Sequence, residues 1–65
     1  MMILRRITNL RPRNMVRLED DRLWTVVRVE PGEDRRYLRV ELTRANGDTR
    51  VLEDLWPDDL IRLEP

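Results

Sequence analysis

Pairs of adjacent carboxylates are the residues of this 65-residue chain that could take part in acid–base chemistry. Examples are Asp20-Asp21, Glu53-Asp54 and Asp58-Asp59. Two carboxylates can catalyse hydrolysis when a cleft shifts their pKa values apart. Because a domain of this size offers little depth for such a cleft, turn-forming and solvated roles are favoured for all three pairs. We therefore predict that the protein is not an enzyme.

Most other catalytic and metal-binding side chains are missing from the composition. The chain contains no cysteine, histidine, serine or lysine. Their absence removes nucleophilic triads, Schiff-base chemistry, disulfides and the usual ligands of zinc and iron–sulfur clusters. No acidic segment has the spacing of an EF-hand calcium loop. We expect no cofactor and no metal ion.

Length and composition indicate one small, folded domain. Leucine, isoleucine and valine account for 19 of the 65 residues, which is above the range of disordered chains although 40% of the residues are charged. No apolar run approaches the roughly 20 residues of a membrane span, and charge interrupts Met1–Leu10 too often for a signal peptide. We predict a cytoplasmic protein without membrane contact, whose small core favours a homo-oligomer.

The charges are balanced overall but unevenly distributed. All 13 basic residues are arginine, a bias typical of GC-rich bacterial or bacteriophage genomes that also suits bidentate contacts to phosphate or carboxylate. Residues 1–18 carry five arginines and no acid. Nucleic-acid binding is therefore an alternative function, with phosphate contacts from Arg5, Arg6, Arg11 and Arg13. The neutral net charge weighs against it, since nucleic-acid-binding domains are usually basic.

Alternating polar and apolar residues predict β-strands from Asn14 onward. Turn sequences separate the alternating runs, and they are Glu19–Arg22, Pro31–Asp34 and Ala45–Asp48. The last of them contains Asn46-Gly47, which is typical of a two-residue type I′ hairpin turn. The pattern therefore predicts a meander of hairpins.

The loop lengths decide which side chains face inward. A two-residue loop at Asp20-Asp21 would place Leu18 opposite Leu23 on the inner face, with Trp24 and Val26 on the outer face. In the second hairpin, Val27 would lie opposite Leu38 on the inner face, while Tyr37, Arg28 and Arg39 would lie outside.

In the third hairpin, Leu42 would lie opposite Val51, and Arg39 opposite Asp54. This register places Glu53 on the inner face, which predicts either a β-bulge near Leu52 or an early end to the pairing there.

The two ends of the chain follow other patterns. Trp56–Leu60 predicts a short 3₁₀ turn because Pro57 fixes φ at a first helical position, and a brief last strand follows at Ile61–Leu63. Residues 1–13 are predicted to form an amphipathic basic arm or turn, with an extra edge strand or a disordered arm as alternatives.

Four strands, a 3₁₀ turn and a short fifth strand in this order resemble an SH3-like small β-barrel, the architecture of Tudor and KOW modules. The resemblance covers residues 14–64. It implies that residues 14–65 form an all-β, five-stranded barrel, which follows a short N-terminal arm, residues 1–13. It also implies a binding module. Tudor-like domains hold methylated side chains in aromatic cages, and KOW-like domains bind nucleic acid.

We predict that the module binds a protein, as an adaptor or an inhibitor, through its outer face. The apolar anchors of this face would be Trp24, Val26 and Tyr37, and its charged neighbours would be Arg17, Arg28 and Arg39. If Trp24 lies on that face, Trp24→Ala lowers binding more than stability. Unfolding of that variant would instead place Trp24 in the core.

Overall fold

Six strands form one antiparallel sheet in the computed structural model, which describes residues 3–65. The strands are β1 (Ile3–Arg6), β2 (Met15–Arg17), β3 (Leu23–Pro31), β4 (Leu38–Thr43), β5 (Thr49–Leu55) and β6 (Leu60–Glu64). Their order across the sheet is β1-β6-β2-β3-β4-β5, so β1 and β5 are the edges. A 3₁₀ helix, Ile7–Asn9, follows β1. The described residues contain no helix long and apolar enough to cross a membrane.

The all-β prediction is confirmed, but the five-stranded closed barrel is wrong. The edge strands β1 and β5 do not pair with each other, so the sheet is open. Residues 3–6 are not an arm or a turn, because they pair with β6 from Ile3↔Leu63 to Arg6↔Leu60. This is the edge-strand alternative, and Ile3 packs against the core. Met1 and Met2, the start of the predicted arm, lie outside the described residues.

The 3₁₀ turn predicted before the last strand is a β-turn. Asp59 donates its backbone N–H to the Trp56 carbonyl (3.0 Å), and the Asp59 carboxylate accepts a hydrogen bond from the Trp56 N–H (3.2 Å). Pro57 occupies the second position of the turn, where its fixed φ is favourable. Since the Asp59 side chain bonds back to the start of the turn, the segment closes after one turn and β6 begins at Leu60.

The loop between β2 and β3 has three residues instead of the predicted two. Leu18 accepts a hydrogen bond from the Asp21 N–H (2.9 Å) and donates to the Arg22 carbonyl (3.3 Å). Asp21 adopts a left-handed conformation with φ 59°, as in a type I turn followed by a bulge residue. The additional residue shifts the pairing of the strands by one position.

This shift turns the predicted outer face of β3 inward. Val16 pairs with Trp24 in place of Thr25, and the Trp24 side chain is buried, with only 6% of the residue exposed. Its indole N–H donates to an Asp20 carboxylate oxygen (3.3 Å), and the Arg44 guanidinium lies 5.4 Å from the ring centroid. The sequence-based placement of Trp24 on the outer face is therefore wrong.

A β-bulge in β3 sets the next register. Val26 pairs with Leu42 whereas Arg28 pairs with Glu41, which leaves Val27 as the extra residue. Val26 is buried with 2% exposure, while Val27 is exposed. The predicted outward position of Val26 is wrong because the longer β2–β3 loop reverses the faces of β3 before the bulge. The predicted pairing of Val27 with Leu38 is wrong because Val27 is the extra residue of the bulge and Leu38 pairs with Pro31.

The hairpin at Asn46-Gly47 is confirmed, with a different turn. Arg44 accepts from the Gly47 N–H (2.9 Å) and donates to the Asp48 carbonyl (2.9 Å), which again makes a three-residue loop. Leu42 therefore pairs with Arg50 instead of Val51.

The predicted bulge near Leu52 is present in β5. Leu52 pairs with Val40 and Leu55 pairs with Leu38, so β5 contains one extra residue between these pairs. The extra stretch includes Asp54, which is left-handed with φ 58°. Glu53 is exposed, so its predicted inward position is avoided.

The core lies on the inner face of the sheet and is entirely apolar among the described residues. Ile7 of the 3₁₀ helix and Leu10, the residue that follows the helix, are both buried and belong to the core. The buried set is Ile7, Leu10, Val16, Leu18, Trp24, Val26, Val40, Leu42 and Leu63.

We expect Trp24→Ala to remove most of the stability of the domain, because truncating a buried Trp costs about 3–5 kcal/mol and a domain of this size has little more to lose. Denaturant unfolding followed by circular dichroism measures the loss. Met15→Ala is the matched control, since Met15 is exposed, and it should change the free energy of unfolding by less than about 0.5 kcal/mol. A Trp24→Ala variant as stable as the control would contradict the register of β2 and β3.

The loop between β4 and β5 gives a second expectation. Gly47 has φ 93°, and a Cβ added there would meet no atom within 4 Å, so Gly47→Ala should lose about 1 kcal/mol for conformational reasons alone. Gly32→Ala is the control, because its φ lies outside the left-handed region and an added Cβ would make ordinary contacts at 3.5 Å. Thermal unfolding compares the two variants. Equal stability of both would contradict the three-residue loop.

Candidate functional site

The structure separates the six residues predicted to bind a protein partner. Trp24 and Val26 belong to the core, so neither can be an anchor on the surface of the folded domain. Tyr37 is half-buried at the start of β4. Arg17, Arg28 and Arg39 remain on the exposed side of β2, β3 and β4, respectively.

These three arginines are already paired with carboxylates. Arg17 bonds to Glu64 (3.1 Å) and to the carbonyl oxygen of Asp21 (2.7 Å). Arg28 lies 3.0 Å from Glu41, which is also its cross-strand neighbour.

Arg39 contacts Glu30 at 3.0 Å and Glu53 at 3.4 Å. Exposed pairs of this kind add little stability, but they occupy guanidinium groups that a partner would need. The role of the three arginines in binding stays a prediction.

The four arginines of the alternative function lie at two places. Arg5 and Arg6 are in β1, and Arg11 and Arg13 are exposed in the loop before β2. Arg11 donates to the Leu10 carbonyl (3.1 Å). Among residues 3–65, none of the four has a carboxylate within ion-pair distance. Nucleic-acid binding by these residues also stays a prediction.

An aromatic pair that the sequence analysis did not identify lies where β4 begins and β5 ends. We refer to Tyr37 and Trp56 as the aromatic pair. Their ring centroids are 4.6 Å apart with an interplanar angle of 67°, which is an edge-to-face contact. Trp56 keeps 53% of its surface exposed. The pair therefore presents an indole face to solvent.

The register explains why these two rings meet. Leu38 pairs with Leu55, and the next residue outward on each strand is Tyr37 and Trp56, respectively. The longer loop at Gly47 shifts the pairing of β4 and β5 by one residue. The extra residue around Asp54 reverses this shift, so the strands pair in the predicted register at this end. A signal was therefore available, since the predicted pairing of β4 and β5, continued outward, places Tyr37 opposite Trp56.

Asp34 organises the loop that carries Tyr37. Its carboxylate accepts hydrogen bonds from the Arg36 backbone N–H (3.0 Å) and from the guanidinium Nη2 (2.7 Å), while its carbonyl accepts from the Tyr37 N–H (3.0 Å). The Arg36 guanidinium also lies 5.7 Å from the Tyr37 ring centroid. Hydrogen bonds from the side chain and then the backbone of Arg36 lower the pKa of the Asp34 carboxyl.

The Trp56 side of the pair is also held in place. Besides its own hydrogen bonds, the turn accepts two from the 3₁₀ helix. The Ile7 N–H donates to the Asp59 carbonyl (2.9 Å), and the Thr8 N–H donates to the Pro57 carbonyl (3.0 Å). The 3₁₀ helix thus attaches the turn to the sheet. Because both segments are fixed, the aromatic pair needs little ordering when a ligand binds, which lowers the entropic cost of association.

This surface offers aromatic and cationic side chains. It combines two aromatic rings with the guanidinium of Arg36, and residues 3–65 contain no group of three or more carboxylates that could hold a metal ion. Comparisons with protein-family models, curated proteins and solved structures find no match to this chain. Its function is therefore argued from geometry and charge.

The Asp34–Arg36 contact should make the aromatic pair sensitive to acid. Because the folded state lowers the pKa of Asp34, the stabilising contact is complete above the ordinary aspartate pKa of about 4 and is lost as the pH falls through the lowered value. We expect the Arg36 Nε–H resonance to shift between about pH 5 and pH 2 in NMR spectra of the protein. Asp34→Asn should remove this titration. An unchanged titration in that variant would contradict the role of Asp34.

Proposed function

We propose that this protein is a non-enzymatic binding module that engages a protein partner through the aromatic pair and Arg36. The observation that carries the proposal is the half-exposed Trp56 ring, which is held edge-to-face against Tyr37. Protein–protein interfaces concentrate their binding energy in Trp, Tyr and Arg side chains. These three residue types meet at this end of the sheet, where an adaptor or an inhibitor would contact its target.

Rigidity supports this surface as the binding site. A Trp side chain supplies a large contact area with few rotatable bonds, and the hydrogen-bonded turn at Pro57–Asp59 restrains the backbone that carries it. The outer faces of β3 and β4 offer less, because Arg28 and Arg39 are engaged with carboxylates there. A partner that inserts an apolar side chain beside Trp56 would gain buried area without breaking an ion pair.

The strand order supports an SH3-like architecture as part of this proposal. Strands β2 to β6 follow one another as a meander, and the last of them returns beside the first to give the order β6-β2-β3-β4-β5. The loops before β4 and after β5 carry the aromatic pair. In this proposal β1 is an additional edge strand on an SH3-like arrangement.

Nucleic-acid binding is the second candidate. It is favoured by four arginines that have no carboxylate partner within residues 3–65, namely Arg5, Arg6, Arg11 and Arg13. Contacts to phosphate weaken steeply with salt, whereas an apolar protein interface does not. An NMR titration with DNA at low and then physiological salt separates the two functions. Shifts confined to these arginines that fade as salt rises would support nucleic-acid binding.

The protein-binding proposal predicts a specific effect of Trp56→Ala. The immobilised wild-type domain should retain partner proteins from a lysate of the source cells, and the immobilised Trp56→Ala variant should not. We expect the variant to lose affinity roughly thirtyfold or more, which is typical of a central Trp in an interface. Met15→Ala, which truncates an exposed apolar residue on β2, should bind like the wild type. Circular dichroism checks that both variants remain folded.

Two results would contradict this proposal. One is equal retention of the same proteins by Trp56→Ala and the wild type. The other is loss of binding in Met15→Ala together with full binding in Trp56→Ala, which would place the interface on β2.

A further inference from the structure

β1 is a short edge strand whose free side carries no β-bulge. Its pairing with β6 is regular from Ile3 to Arg6, without a bulge. The opposite edge, β5, carries a bulge with left-handed Asp54. Bulges disrupt the regular edge on which another strand would pair. The regular edge of β1 therefore remains able to accept an added strand.

The hydrogen-bond pattern between β1 and β6 shows which residues of β1 direct their backbone N–H and C=O groups to the free edge. Ile7 donates its N–H to the Asp59 carbonyl (2.9 Å) in the register of the β1–β6 ladder. Bonded and non-bonded pairs alternate between antiparallel strands, so Arg5 directs its backbone groups to β6. Leu4 and Arg6 direct theirs to the free edge, where no strand pairs with them among residues 3–65.

The outer face beside this edge alternates between apolar and basic residues. Leu4 lies opposite Arg62, and Arg6 lies opposite Leu60, which gives two leucines on one diagonal and two arginines on the other. Leu4 is 53% exposed and Leu60 is 60% exposed. Both leucines border a shallow depression that Ile61 also lines.

The charge of this edge is positive and unpaired. Arg5, Arg6 and Arg62 have no carboxylate within ion-pair distance in the described part of the chain, and Glu64, the acid of β6, is held by Arg17. A second copy that paired through its own β1 would bring two more arginines to the same edge. Self-association stays a prediction, and this repulsion argues against β1 as its interface.

Nucleic acid would also satisfy the positive charge, but two observations favour a polypeptide. The residues that line the depression include exposed leucines and no aromatic ring on which a base could stack. The edge also offers backbone donors and acceptors with the spacing of a β-strand, which only another extended polypeptide matches.

We propose that the free edge of β1 binds an extended acidic segment of another protein as an added strand. In an antiparallel added strand, two acidic residues would lie opposite Arg6 and Arg5. The two apolar residues that follow them would lie opposite Leu4 and Ile3. Leu4 and Arg6 supply the backbone hydrogen bonds, and Arg62 adds a second charge on the outer face. The surface includes neither residue of the aromatic pair, so the protein would have two contact sites.

The test uses the full chain and the synthetic peptide Thr-Thr-Glu-Glu-Val-Val-Thr-Thr with blocked ends. In NMR titrations we expect the amide signals of Leu4 and Arg6 to shift and their hydrogen exchange to slow by tenfold or more. The Lys-Lys-Val-Val version of the peptide should not bind. The amides of Tyr37 and Trp56 should stay unchanged, so failure here would leave the proposal on the aromatic pair intact.

Charge-reversed variants provide the control. Arg6→Glu combined with Arg62→Glu should weaken binding of the acidic peptide at least tenfold and allow the lysine version to bind. Arg22→Glu reverses an exposed arginine in the β2–β3 loop and should bind the acidic peptide as the wild type does.

Each of the following results would overturn the proposal. The two peptides could bind equally, or the acidic peptide could produce no slowing of exchange at Leu4 and Arg6. An oligothymidine of the same length could shift these residues while the acidic peptide has no effect, which would assign the edge to nucleic acid.

Discussion

The core of this protein depends on the three-residue loop between β2 and β3, because left-handed Asp21 determines which side chains of β3 face inward. Its conformation costs about 1 kcal/mol, as left-handed backbone does for residues other than glycine. Burying an indole ring contributes several kcal/mol. The register that buries Trp24 is therefore more stable, despite the cost of left-handed Asp21. The hydrogen bond from the indole to Asp20 satisfies the only polar atom of the ring and connects the loop to the core.

Irregular positions further along the sheet follow from this register. The extra residue at Val27 lets both Val26 and Val29 face the core. The extra residue around Asp54 corrects the register shift introduced by the loop at Gly47. The second correction brings Tyr37 and Trp56 together. The surface proposed to bind a partner is thus a consequence of how the strands keep their apolar residues inward, with the turn at Pro57 fixing the exposed ring.

The strands, the turn positions, the Asn46-Gly47 hairpin and the bulge in β5 could be predicted from the sequence, since they follow from period-two alternation and local turn preferences. The lengths of the loops could not. Asp-Asp and Asn-Gly suit both two-residue and three-residue loops, and one residue of difference reverses the faces of a strand. The sequence therefore predicts Trp24 on the surface and does not identify Trp56 as the aromatic partner of Tyr37.

The pairing of β1 with β6 also escaped the sequence analysis, because it joins the two ends of the chain and leaves no local pattern. Ile3–Arg6 is too short for alternation to distinguish a strand from one turn of a helix. Its basic residues were correctly recognised as a single-signed group, but the leucines that share their outer face became visible only once β6 was placed beside them.

Trp24 is buried whereas Trp56 is exposed, and because the chain has two tryptophans this difference can be measured directly. Acrylamide quenching of fluorescence should be compared in Trp24→Phe, which retains Trp56, and in Trp56→Phe, which retains Trp24. The structure predicts that Trp56 is quenched several-fold more strongly and that Trp24 emits at shorter wavelength. Equal quenching of the two, or stronger quenching of Trp24, would contradict both the register of β2 and β3 and the proposed binding surface.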